Sequence, residues 1–234
     1  MTSKCFFLRL KYLLKGINNI KYDSCSTMDF AHVKMKKSRI NASNNSHIKI
    51  GKNCVIQASD INIQNGSLII GENVSLINTK IKINQGTIII KNNARIMCHI
   101  WIRYGGVVNI GEYTNINIGS EIRSDESITI GDFTQISYNV NIWDTNTHCI
   151  YPPYKRRELS KTIGIGNEIE KPITKPVKIG NDCWIAKNSS ILKGVVLGDN
   201  TIVGYGTTII NKCIENNSII VPKLDFKNKP INNI

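Results

Sequence analysis

Histidine is scarce in this chain of 234 residues, with four in all, and acidic side chains number 17 against 30 Lys and Arg, a net charge of +13. Aromatics make up 7%. Neither a recognition-helix motif nor an aromatic stacking platform accompanies the basic excess, which argues against nucleic acid as a partner. No stretch has the roughly 20 apolar residues that a membrane-spanning helix needs. The start Cys5-Phe6-Phe7-Leu8 is interrupted at once by Arg9 and Lys11, unlike the apolar run of a cleaved signal peptide. The seven cysteines include no CxxC pair or other metal-ligand spacing, so no metal is expected.

What the chain has is repetition. Isoleucine followed by a small or polar turn residue recurs at Ile50, Ile70, Ile90, Ile110 and Ile130, an even 20-residue spacing. The signal then tightens to six residues at Ile179, Ile185, Ile191, Leu197, Val203 and Ile209. A fixed period means that the chain coils on itself, each turn burying its aliphatic residues on the next, so the fold is expected to be an all-β solenoid. In the second block a small or β-branched residue stands four places after each aliphatic: Cys183, Ser189, Val195, Thr201, Thr207 and Cys213. Both are expected to point inward, while the intervening Gly, Asn and Asp tolerate the positive φ of a sharp bend. Cys54 falls at the same small position, and buried thiols of this kind suit a reducing compartment, hence a cytoplasmic protein.

These hexads resemble those of the hexapeptide-repeat acyltransferases, nearest to the bacterial polysaccharide and sialic acid O-acetyltransferases, over roughly residues 46 to 221. The resemblance implies a left-handed parallel β-helix with three hexads per coil, shaped as a triangular prism. Its hand comes from the resemblance alone, because ordinary parallel crossovers are right-handed. The chain then divides into a basic cap segment at 1–45, the β-helix at 46–222 with an active-site loop insertion at 143–176, and a tail at 223–234.

Within the cap, Phe6, Leu10, Leu13 and Ile17 follow helical spacing with Lys4, Arg9, Lys11 and Lys15 between them. A short basic amphipathic helix is expected. It either covers the open end of the solenoid or rests on an anionic membrane face, the latter placing the protein at the inner face of the plasma membrane. Residues 1–40 hold nine Lys and Arg against Asp23 and Asp29, which is +7 of the total +13, a cluster able to draw a polyanion.

The repeat breaks after Ile142 and resumes at Val177, with Pro152, Pro153, Lys155, Arg156, Arg157, Pro172 and Pro176 between. Long loops on a rigid scaffold are usually functional. The segment Ile142-Trp143-Asp144-Thr145-Asn146-Thr147-His148 is similar to the family's catalytic loop, which makes His148 the match for the catalytic histidine. Acetyl transfer from a thioester to a hydroxyl needs a group that takes the hydroxyl proton near neutral pH, and a neutral imidazole suits that task. Asn117, one coil earlier, matches the family's active-site asparagine. Asp144 is a candidate to orient the imidazole or bind a sugar hydroxyl, and Trp143 and Tyr151 are candidates to stack on a sugar ring.

For the donor, Pro176-Val-Lys-Ile-Gly-Asn-Asp-Cys-Trp184 resembles the family's return from its loop, including the tryptophan that packs along the pantetheine arm. The family's Gly-Ala-Gly-Ser segment, which offers backbone N–H groups to the donor, reads Gly204-Tyr205-Gly206-Thr207 here. Lys212 is the candidate for the nucleotide phosphate. The resemblance thus implies acetyl-CoA as co-substrate, a saccharide acceptor such as an anionic polysaccharide, no metal, and a homotrimer. Three alternatives differ in chemistry: an N-acetyltransferase of an amino-sugar nucleotide, a non-catalytic structural solenoid, and a zinc hydratase. The last needs three histidine ligands, whereas only His99 and His148 lie in the repeats.

Overall fold

A computed structural model describes residues 18–167 and 169–223. The basic helix expected within the first 17 residues and the tail from 224 onward lie outside the described residues. Every named strand pairing among the described residues is parallel, and the strands stack coil upon coil in two sheets, one of 16 strands and one of nine. The fold is the left-handed parallel β-helix of about ten turns. The larger sheet supplies two sides of the prism. It remains one sheet because Asp60–Ile70 and Lys80–Ile90 bend through a corner without interruption, at Asn65 and Gln85 with φ of 53° and 60°.

The period sets the stacking. Ile48, Leu68, Ile88, Val108, Ile128 and Val177 stand above one another, as do Ile56, Leu76, Ile96, Ile116, Ile136, Ile185 and Val203. All are buried. Each of the 11 aliphatics that opened the repeat units is inward as well.

At one corner Asn53, Asn73, Asn93, Asp182, Asn200 and Asn217 all adopt positive φ, and their short polar side chains lower the penalty of that conformation. The two middle coils place Tyr113 and Phe133 there instead, φ 53° and 56°, with exposed rings stacked 5.0 Å apart. Side chains inside this corner bridge coils: Thr114 and Thr134 hydroxyls donate to the carbonyls of Gly131 and Gly180 at 2.8 and 2.9 Å.

Coiling begins well before residue 46. Asn19–Tyr22 pairs with Arg39–Ser43, Thr27–Phe30 with His47–Ile50, and Lys34–Lys36 with Val55–Gln57. The segment read as a cap is thus solenoid from Asn19 onward. Its inward residues, Ile20, Phe30, Val33, Met35, Ile40 and Ala42, are too mixed to show as a repeat of isoleucines. Cys54 and Cys183 are buried as expected, and burial raises both thiols above their ordinary range. Cys213 is exposed. Leu197 pairs with Ile214, 17 residues on, so the last coil is one residue short of three hexads and the register slip turns Cys213 outward.

Candidate active site

The loop leaves the solenoid after Asn141–Trp143 and returns at Val177–Ile179. It is not wholly irregular. Pro153–Thr162 forms a helix, opened by a proline pair whose fixed φ suits a first helical turn, and none of its residues is buried. Thr145 and Thr174 bridge antiparallel across the loop's neck, while the Lys175 N–H donates to the Asp144 carbonyl at 2.9 Å.

Beneath this neck lies a buried polar network that the sequence reading missed. Arg103 makes a bidentate pair with Asp125 at 2.9 and 2.7 Å, with side chains 16% and 0% exposed. The Thr145 hydroxyl donates to the same carboxylate at 2.7 Å and accepts from the Thr147 N–H at 3.0 Å. The second Arg103 nitrogen also donates to the Thr147 carbonyl at 3.2 Å. Three successive coils therefore fix the peptide immediately before His148, which itself is exposed at the solvent side of the loop. Only register could have revealed this, since Arg103, Asp125 and Thr145 are remote in sequence.

Asp144 takes a structural place. It is fully buried, and its carboxylate accepts from the Ser124 hydroxyl at 2.6 Å and from the Asp125 and Glu126 N–H groups at 2.8 and 3.0 Å. Burial raises its carboxyl above the usual range despite those bonds. With its oxygens engaged in this turn, it is not positioned to bind a sugar. Trp143 faces outward from its strand, half-buried, with the Arg123 guanidinium 5.3 Å from its ring. Tyr151 lies under the Lys155 ammonium, 4.5 Å from its ring centre.

The remaining candidates sit elsewhere on the prism. Asn117 follows the strand Asn115–Ile116 and donates from its side-chain amide to the Ile136 carbonyl at 3.1 Å. Ser137, Ala186 and Gly204 stand beneath it, coil by coil, through the backbone bonds Asn117 N–H to Ile136, Ser137 N–H to Ile185, Ala186 N–H to Val203 and Gly204 N–H to Ile220. The Gly204 N–H is thus spent on the coil bond, at 2.7 Å. Within Gly204-Tyr205-Gly206-Thr207, only the Tyr205 N–H lacks a backbone acceptor among the described residues.

Trp184 opens the strand of this same side that leads to Ala186, 54% exposed, in register with Ile202 and Ile219. Together with Tyr205 it gives that face an apolar strip bordered by an available N–H. Lys212 lies one prism side away, beyond Thr208–Ile209, where its carbonyl accepts from Val196. The structure brings Trp184 to one side of the prism and Asn117, Gly204 and Tyr205 to the corner that ends that side. The loop bearing Trp143, His148 and Tyr151 rises from another side.

Residues 176–211 match the family described as bacterial transferase hexapeptide (six repeats). The chain is 33% identical over 120 residues to the galactoside O-acetyltransferase of Escherichia coli K12, covering 51% of this chain and 52% of that protein. It is 27% identical over 115 residues to a putative lipopolysaccharide biosynthesis O-acetyl transferase of the same strain, covering 49% and 56%. The chain thus spans about half the length of these curated relatives. Among solved structures, the polySia-specific acetyltransferase NeuO superposes with a TM-score of 0.55 at 18% identity, covering 86% of this chain and 74% of that one, a likeness of fold.

Proposed function

We propose that this hexapeptide-repeat chain is an O-acetyltransferase that moves acetyl from acetyl-CoA to a sugar hydroxyl of a bacterial surface polysaccharide or its precursor. The observation that carries the reading is the placement of His148: it stands exposed on the one long insertion in the repeat, its preceding peptide clamped by Arg103 and Thr145. Relatives that bear O-acetyltransferase names support the reaction class.

In this scheme the His148 imidazole takes the proton of the acceptor hydroxyl as its oxygen attacks the thioester carbonyl. The tetrahedral oxyanion is steadied by a backbone N–H, for which Tyr205 offers the available donor. Collapse expels the CoA thiolate, which takes the proton back from the imidazolium. The strip formed by Trp184, Ile202 and Ile219 fits the apolar length of a pantetheine arm.

Because donor-side and base-side residues occupy different edges of one prism, a complete site requires an edge of one protomer to face the loop of the next, and we propose a homotrimer with sites between protomers. The loop supports this: Ile150, Tyr154, Ile165, Ile169 and Ile173 are all exposed in the single chain, an apolar surface of the kind that marks a contact. The test is acetyl transfer from radiolabelled acetyl-CoA to surface glycans isolated from cells lacking the gene. His148→Ala is expected to lower kcat by about 100-fold to 10,000-fold, the usual worth of a positioned base, with acetyl-CoA affinity unchanged. Retention of most activity would overturn the assignment.

A further inference from the structure

We infer that the outer face of the solenoid below the loop carries a separate binding track for an acidic glycan chain, so that the acceptor is a polymer gripped away from the hydroxyl being modified. The inference rests on the acetyltransferase reading for the second half of that statement only. A groove of about 300 Å³ opens on this face, with Ile81 and Ile100 in its floor and Asp60, Lys80, Lys82, His99, Trp101 and Glu121 among its walls.

The charges in the groove are unequal in availability. Asp60 is paired with Arg39 at 3.3 Å and also accepts from the Asn62 amide at 3.0 Å. Glu121 is paired with Arg123 at 3.1 Å. Among the described residues, the side chains of Lys80, Lys82 and His99 make no hydrogen bond or ion pair. Each carboxylate therefore has an arginine partner of its own, and the two ammonium groups have no carboxylate partner, that of Lys82 lying over the Trp101 ring. Lys80 and Lys82 project to the same side of one strand, and His99 stands beside Lys80 in the next.

A column of stacked cations and rings holds this array in place. Lys82 lies 5.0 Å above Trp101, Arg123 is 4.5 Å from Trp101, and Arg123 is also 5.3 Å from Trp143. Strands about 4.8 Å apart place Trp143 roughly 14 Å along the face from Lys82, and Trp143 is the last strand residue before the His148 loop. The column thus runs from the groove to Trp143, where the chain leaves the solenoid for the loop that carries His148. A polyvalent ligand with a carboxylate on successive sugars matches such a row, since planar polar side chains beside an indole serve sugar hydroxyls and the ammonium groups of Lys80 and Lys82, without carboxylate partners, serve the acid.

The test is calorimetric binding, without acetyl-CoA, of short and long carboxylate-bearing oligosaccharides, using both oligosialic and oligogalacturonic acid. Neutral dextran oligomers, phosphatidylglycerol vesicles and an oligothymidylate of matched charge serve as comparisons. Long acidic glycans are expected to bind more tightly than short ones, and more tightly than every comparison ligand.

The double variant Lys80→Gln/Lys82→Gln, verified as folded by its thermal transition, is expected to lose about ten-fold in affinity, as two exposed charge contacts imply. Trp101→Leu, which frees Lys82 and Arg123 from the column, is expected to weaken long glycans more than short ones. Absence of glycan binding, unchanged binding in the double variant, or equal binding of vesicles or oligothymidylate would overturn the track. If the glycans bind as expected but none is acetylated, the track stands and the acetyltransferase reading falls.

Discussion

At the scale of the residue, two candidates separate structural from functional roles. Trp184 packs outside the core, so Trp184→Ala should leave the thermal transition unchanged and raise the KM for acetyl-CoA by an amount equivalent to about 1 to 3 kcal/mol, the range of exposed aromatic anchors. An unchanged KM would remove it from the donor site. Asp144 should behave oppositely. Its carboxylate receives three donors, and an amide can present only one acceptor oxygen to them. Asp144→Asn is expected to lower stability by about 1 to 3 kcal/mol.

Its pH dependence has a definite sign. The native carboxyl titrates above its ordinary value of 3.8, so the folded state holds this proton more tightly than the unfolded chain. The resulting stabilisation is complete below the unfolded value and is lost as pH rises through the native one. The gap between wild type and Asp144→Asn should therefore widen as urea titrations move from neutral pH towards acid, and a constant gap would show that Asp144 is not the group concerned.

At the scale of the element, the corners limit what the chain accepts. A Cβ on Gly131 would collide with the backbone of Gly180 in the next coil, and two backbones held by coil-to-coil hydrogen bonds have little room to part. Gly131→Ala should therefore destabilise the coils on both sides of the insertion, by about 1 to 3 kcal/mol as overpacking usually does. Gly105→Ala, where nothing stands within 4 Å, isolates the separate penalty of positive φ and should be milder. Denaturant titration of the two variants checks the order, and a Gly131 variant as stable as wild type would mean that the coils separate more readily than their hydrogen bonds imply.

At the scale of the molecule, the division of site residues between two edges predicts assembly. Sedimentation equilibrium of the purified chain should give a trimer, and activity should fall on dilution together with the trimer fraction. A stable, active monomer at micromolar concentration would require the base and the donor strip to meet within one chain. Mixing His148→Ala with Trp184→Ala protomers should restore some activity, because a site at one interface of a mixed trimer can take both intact residues.

The solenoid, its inward positions from Ile50 to Ile209 and the place of the insertion are legible in the order of residues alone. Period is a local property, and stacking one coil on the next follows from it directly. The break also marks the loop that carries His148, because an interruption of a regular pattern is visible without knowing what lies beside it, while the role proposed for that histidine comes from the loop's resemblance to the family's. Tertiary structure alone decided the rest. The mixed apolar residues before residue 46 reveal their coils only when paired with later strands, and a one-residue slip between Leu197 and Ile214 turns Cys213 to solvent. Arg103, Asp125 and Thr145 become one network only through register. Asp144 reads in the sequence as a loop aspartate that could orient the imidazole or bind a sugar hydroxyl, and the fold makes it a buried acceptor for three donors from the coil before it. Which edge of the prism a residue occupies depends on every insertion and deletion preceding it, and that sum is read from the stacked backbone rather than from any single motif.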